Sequence, residues 1–128
     1  MPGVRSGSAP VLDRCFVFGS NEGGIHGAGS ALAAYKHHGA VWGVGHGLRG
    51  RCYGIPTKDA RLKTLPLSKV EEYVRTFLLF AATMPNVEFN VVKIGCGLAG
   101  FSEAQIAPLF SEAPRNCKLP FGWRKGSM

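Results

Sequence analysis

The sequence predicts an α/β fold in which a mixed, mostly parallel sheet carries helices on both faces. Three observations point there. Short apolar, β-branched or aromatic runs alternate with segments of helical periodicity, the pattern of a layered α/β domain. Two glycine-rich stretches, FGSNEGGIHGAG (residues 18–29) and IGCGLAGF (residues 94–101), each follow such a run and lead into a helical segment. The 128 residues, 45% of them hydrophobic, suffice for one core and show no repeat or internal linker.

In chain order, CFVF (residues 15–18) is the first strand, bounded by Asp13-Arg14 and the first glycine stretch. From Gly27 to His38, Ala28, Ala31, Leu32 and Tyr35 fall at helical spacing, and Gly39 supplies the C-cap. VWGV (residues 41–44) is a second strand, weakened by its glycine, and residues 45–50 form a turn. Residues 51–55 are a strand halted by Pro56. The clearest helix follows: Ser68-Lys-Val-Glu71 fits a capping box, and Val70, Tyr73, Val74, Phe77, Leu78 and Ala81 keep one face apolar until Pro85. VEFNVVKI (residues 87–94) is a strand. Ser102-Glu-Ala-Gln105 repeats the capping-box pattern and opens a short helix with Ile106, Leu109 and Phe110. A last strand covers residues 117–119. The domain is expected over residues 13–123, with loose termini at 1–12 and 124–128.

The composition narrows the function. No apolar run approaches bilayer-spanning length, and the Gly/Ser/Pro-rich start lacks the apolar core of a signal peptide, so a cytoplasmic protein is expected. Cys15, Cys52 and Cys117 lie in apolar runs and are expected as buried, reduced thiols. The histidines and cysteines lack metal-ligand spacing, so neither a metal nor a cofactor is expected. The net charge of +7 favours anionic partners, from phosphorylated small molecules to nucleic acid.

Glycine-rich turns between a strand and a helix aim bare N–H groups at an anion, and glycine lets a phosphate approach closely. In α/β sheets such ligands sit beyond the carboxyl ends of strands. The candidate binding residues are therefore Gly19, Ser20, Asn21, Glu22, His26, Gly27, Ala28 and Gly29 in the first stretch. Gly95, Cys96, Gly97, Leu98, Ala99, Gly100 and Phe101 are the candidates in the second. His46, in another glycine-rich loop, is a further candidate for a phosphate or ribose contact. Cys96 also sits where a helix N-terminus would lower a thiol pKa, the condition for a nucleophile.

These stretches resemble the macro-domain superfamily. Ser20-Asn21-Glu22 followed by Gly27-Ala28-Gly29-Ser30-Ala31 is similar to its polar loop and GAG-x-A helix start. Ile94-Gly95-Cys96-Gly97-Leu98 is similar to a later family strand end, and Tyr53-Gly54-Ile55-Pro56-Thr57-Lys58 to a strand between them. The ordered set covers residues 15–110. It looks most like the compact branch that removes terminal ADP-ribose from proteins, and like small macro-like proteins of bacteria and their phages. The resemblance implies a three-layer fold and ADP-ribose recognition. The first loop would hold the distal ribose near Asn21 or Glu22. The second would wrap the diphosphate, with Phe101 packing on a ribose or base. An adenine-binding aspartate of the family corresponds roughly to Asp13, out of register by a residue.

In the glycohydrolase branch a lysine attacks the ribose and an aspartate in the second loop assists. Lys58 stands at the lysine's position, whereas Ala99 occupies the aspartate's. Asp59 is the remaining acidic candidate beside Lys58, and an ion pair between the two would instead hold the lysine charged. The cysteine at Cys96 occurs in the resembling family without acting as the nucleophile. Two functions follow as expectations: a module that binds ADP-ribose or a related NAD-derived or cyclic signalling nucleotide, or an ADP-ribosyl hydrolase using Lys58, acting in de-ADP-ribosylation or on an ADP-ribose phosphate or ester. An ADP-ribosylated macromolecule is a possible partner of the second. Nucleic acid ranks last, because basic and aromatic residues do not interleave.

Overall fold

The computed structural model describes residues 12–124. Five strands form one mixed sheet, joined by three helices and a short 3-10 turn. The elements run β1 (Arg14–Asn21), α1 (Gly29–His37), β2 (Gly47–Arg49), β3 (Cys52–Lys58), α2 (Leu67–Ala82), β4 (Glu88–Val91), α3 (Glu103–Ile106) with the 3-10 turn Ala107–Phe110, and β5 (Cys117–Lys118). Their order across the sheet is β2-β3-β1-β4-β5. β1 is central and pairs in parallel with both β3 and β4, β5 is parallel to β4, and only β2 is antiparallel.

Alternation along β1 assigns its side chains to two separate cores. Phe18, with Phe16 at its edge, packs with Ala31 and Ala34 of α1, Ala40 and Cys52. Cys15 and Val17 pack instead with Val70, Val74, Phe77 and Ala81 of α2, together with Tyr53, Ile55, Phe89 and Ile106. The connectivity explains the split. The chain steps from β1 to β3 through α1, then back past β1 to β4 through α2. Parallel crossovers keep one hand, so opposite steps deliver their helices to opposite faces.

Several expectations shift. α1 buries Ala31 and Ala34, whereas Tyr35 and Ala28 face out, so the buried stripe is narrower and rotated from the expected one. Residues 41–44 form a turn, while Gly47–Arg49, expected as a turn, pair with β3 as an edge strand. Pro56 does not halt β3. β2 pairs only with Cys52–Gly54, and a register shift falls beside Pro56, so its missing N–H interrupts no ladder. α2 begins at Leu67 behind Pro66 with no side-chain cap, so Ser68 lies inside the helix rather than capping it. The second capping box forms as expected between Ser102 and Gln105. β4 stops at Val91, three residues short of the expected end: Val92 N–H makes the last bond to β1, to Val17 O at 3.1 Å, and Ile94 N–H then turns back onto Val92 O at 2.7 Å.

Residues 1–11 and 125–128 of the expected loose termini lie outside the described residues. Leu12 packs on the larger core. Arg124 is tied down, its guanidinium donating to the carbonyls of Ala113, Pro114 and Cys117 at 2.8, 3.0 and 2.6 Å. Cys15, Cys52 and Cys117 are buried and unbridged as expected, and burial pushes the Cys15 thiol up to about 12. No helix among the described residues is long and apolar enough to cross a membrane.

Asn116 closes the far edge of the fold. Its amide donates to Ala81 O at 3.1 Å and Met84 O at 2.9 Å, answering carbonyls at the end of α2, while its own carbonyl receives Phe89 N–H. Asn116→Ala is expected to cost about 1–2 kcal/mol. Urea unfolding should show a lower midpoint with an unchanged slope.

Candidate functional site

The parallel pairing sets the carboxyl ends of β3, β1 and β4 side by side, at the point where the strand order reverses. Both glycine stretches and Lys58 therefore emerge at one edge. Between them lies a cavity of about 590 Å³, within the size range of small-molecule sites. Of the expected binding residues, Gly19, Ser20, Asn21, Gly27, Ala28, Gly29, Gly95, Cys96, Gly97, Leu98 and Ala99 line it, as does Lys58. Ile25, Ser30, Ala31, Thr57, Leu62, Val92 and Lys93 line it without having been expected.

The first loop is held by buried polar groups. Among the described residues, the buried polar side chains are Ser20, Asn21, His26 and Thr57, of which all but His26 line this cavity. Asn21 clamps Ile25 twice, Oδ1 accepting its N–H at 2.9 Å and Nδ2 donating to its carbonyl at 2.8 Å. The Ser20 hydroxyl donates to Gly45 O, and that of Thr57 to Ser20 O at 3.3 Å. His26 does not reach the cavity. It is fully buried, and its Nε2 faces the carbonyls of Val41 and Val44 at 3.0 and 3.1 Å. Two acceptors on one ring nitrogen require it to carry the proton. Its Nδ1 has no partner among the described residues. Glu22 also turns away, accepting the Tyr73 hydroxyl at 2.6 Å, and Tyr73 is pushed up to about 12 by burial and by that carboxylate.

At its far end the first loop opens α1. The N-cap position is Ala28, with no side chain to cap the first turn. The orphan amides that begin any helix are thus left bare where residues 28–31 line the cavity.

The second loop is built differently. Phe101 N–H donates to Gly95 O at 2.9 Å and Gly100 N–H to Gly97 O at 3.0 Å, drawing residues 95–101 into a closed turn. Gly95 and Gly100 have φ of +74° and +86°. A Cβ on Gly95 would stand 3.1 Å from the Phe101 ring, so that ring lies under the loop against the core and is absent from the cavity lining. Gly100 is likewise outside the lining. The N–H groups of Gly97, Leu98 and Ala99 donate to no acceptor among the described residues. The helix that follows offers no anion site. α3 has four residues, and its first turn is satisfied by Ser102 and Gln105.

Charge in the cavity has one sign. Lys58 and Lys93 line it, and no carboxylate does. Lys93 is paired with Glu103 at 3.0 Å, whereas Lys58 makes no ion pair among the described residues. Asp59 does not pair with Lys58 and does not line the cavity. Its Oδ1 accepts Arg61 N–H at 2.8 Å and Lys63 N–H at 3.0 Å, capping the turn after β3. Cys96 is half-buried, and its thiol is pushed above the ordinary value by burial and by Glu103, partly opposed by Lys93. Its position therefore works against a thiolate. His46 packs edge-on against Tyr53 and Tyr73, outside the cavity, and burial lowers its pKa. Asp13 sits at the amino end of β1, opposite the cavity, beside Arg51 at 3.4 Å.

The turn capped by Asp59 presents Leu62 with φ of +65°, a left-handed conformation held by no other non-glycine residue described. Asp59 N–H donates to Lys63 O at 2.8 Å and Leu62 N–H to Asp59 O at 3.0 Å, so the turn fixes this geometry. Thr64 ties it to the second loop, its hydroxyl donating to Ala99 O at 2.8 Å.

The sequence matches no known protein family and no curated protein. Among solved structures, it is similar to a protein of unknown function from Bacteroides thetaiotaomicron. The TM-score is 0.58 at 16% identity, over 83% of each chain. That likeness is one of fold.

Two outcomes are expected from the turn. Leu62→Gly relieves the left-handed strain and should stabilise the protein by about 1 kcal/mol, raising Tm by about 4 °C in calorimetry. The second concerns acid. Two backbone N–H bonds, from Lys63 first, hold the Asp59 carboxyl below its ordinary 3.8. A lowered folded pKa means its contribution is complete above 3.8 and is lost as pH falls through the folded value. In an NMR titration, the Arg61 and Lys63 amides should therefore shift with a midpoint below pH 3.8.

Proposed function

We propose that the protein binds ADP-ribose or a related NAD-derived or cyclic nucleotide in this cavity, as a macro-domain-like module with helices layered over both faces of the sheet. One observation carries the reading: two separate backbone segments with unpartnered amides line a single cavity whose charged residues are both lysines. A diphosphate needs that combination, since each oxygen accepts several hydrogen bonds and its charge must be met. The diphosphate lies against residues 97–99, and the uncapped start of α1 receives the adjoining phosphate or ribose oxygens. The family resemblance read from residues 20–31, 53–58 and 94–98 points to the same ligand.

Calorimetric titration with ADP-ribose should give a saturable heat, and Gly97→Glu should reduce the affinity at least tenfold. Gly97 is the informative position. A Cβ there meets nothing within 4 Å, so the new carboxylate enters the cavity without disturbing the fold. Equal affinity in the two proteins would remove the ligand from these loops.

A second reading rests on Lys58 lining the cavity: hydrolysis of an ADP-ribosyl linkage. A lysine nucleophile requires a neutral amine, and the departing group requires a proton donor. On this reading Lys58→Ala abolishes release of ADP-ribose from a modified peptide while ADP-ribose still binds. Unchanged turnover in that variant would exclude the lysine route.

A further inference from the structure

The cavity has an apolar rim that phosphate binding leaves unexplained. Three of its lining residues are large aliphatics exposed to solvent: Ile25 at 36%, Leu62 at 46% and Leu98 at 69%. They come from three different segments, the first loop, the turn after β3 and the second loop. Exposed leucines scattered singly are ordinary, but three converging on one mouth are a surface. Leu98 reaches across the opening, where its Cδ1 would lie 3.7 Å from a Cβ on Gly29. Leu62 is placed there against its own backbone preference, by a turn that Asp59 caps and Thr64 fastens to the second loop. Strain of this kind persists where the surrounding structure enforces it, and it concentrates at ligand sites.

Resting on the proposed anion site, we infer that Leu62 and Leu98 grip the flat face of a nucleobase while the loop amides hold its phosphate. Two features of the mouth select this occupant. The amides and Lys58 demand an anion, and the rim demands a flat, weakly hydrated ring attached to it within one cavity of about 590 Å³. A sugar phosphate satisfies only the first, because its hydroxyls would lose water against the leucines without gaining partners. No carboxylate is among the described lining residues, so the base is held by apolar contact.

The test compares AMP with ribose 5-phosphate, which share a phosphate and differ by the base, using pyrophosphate as a probe of the amides alone. In the unaltered protein AMP should bind about tenfold more tightly than ribose 5-phosphate. In Leu62→Gly this preference should fall to about twofold or less, with pyrophosphate affinity unchanged, and in Leu98→Ser the preference should fall to the same extent. Both positions are exposed, and the higher Tm expected of Leu62→Gly verifies its fold. Equal binding of AMP and ribose 5-phosphate overturns the inference while leaving the anion site intact. So does a preference that survives both substitutions. Absence of binding by pyrophosphate and by every nucleotide overturns the anion site itself and the inference with it.

Discussion

The parallel pairing of β1 with β3 on one side and β4 on the other decides where the chemistry of this molecule falls. Reversing either partner would send its loop to the opposite edge of the sheet, about the length of a strand away. With both parallel, Lys58, the first glycine loop and the second glycine loop leave three neighbouring strands in the same direction. The strands also differ in length. β1 runs to Asn21, whereas β4 ends opposite Val17, so the chain leaving β4 folds over the end of β1. Val92 N–H bonds Val17 O, and the Gly95 nitrogen would stand 3.4 Å from a Cβ on Gly19. The two loops therefore meet above a glycine.

The loops reach that meeting by opposite means. The first is fixed by side chains that have given up water and must find partners inside. Leaving one such group unmet costs about 1–3 kcal/mol, which is why Asn21, Ser20 and Thr57 each bond a nearby backbone group. Behind them the backbone of residues 43–45 lies directly on that of residues 21–24. A Cβ on Gly45 would collide with Asn21 O, and one on Gly24 with Gly43 and Val44. His26 bonds the carbonyls of Val41 and Val44 from the other side. The second loop has few side-chain anchors; its glycines close a turn whose central amides stay bare. The first loop is fixed by side chains and the second by its own turn, and a pair of loops ordered in advance spares a ligand the cost a mobile loop would impose.

Much of this was legible in the sequence, and the failures have physical causes. β1, α2 and the Ser102–Gln105 box were readable because local pattern and tertiary environment agree there. The carboxyl-end location of both glycine loops was readable too, but their adjacency was not, since strand order is a long-range property. Residues 41–44 have strand-like composition, yet they turn because backbone contact with the first loop outweighs propensity. His26 sits among glycines and suggests a ligand contact, and only the three-dimensional packing shows its ring bonded to carbonyls fifteen and eighteen positions away. Leu62 carried no sequence signal at all. A left-handed leucine breaks the rule that glycine or asparagine takes such positions, and the compensating Asp59 cap becomes visible only with the turn.

The chemistry of the lining bears on whether a nucleotide held here would also be cut. Glycosidic cleavage needs a nucleophile in its reactive form and a proton for the leaving group. The hydroxyls of Ser20 and Thr57 already donate to backbone carbonyls, and the Cys96 thiol is held protonated above its ordinary range. Asp59, the nearest carboxylate in sequence to Lys58, spends its oxygen on two backbone amides outside the cavity. Ala99 brings no acid to the second loop, and Glu103 is turned to Lys93 and Trp123. A cavity that offers donors and cations suits the proposed binding of a diphosphate, whereas the proposed hydrolysis also needs a proton donor, and no carboxylate is among the described lining residues. Rate acceleration requires interactions stronger in the transition state than in the ground state. On that ground the proposed hydrolysis, unlike the proposed binding, turns on Lys58.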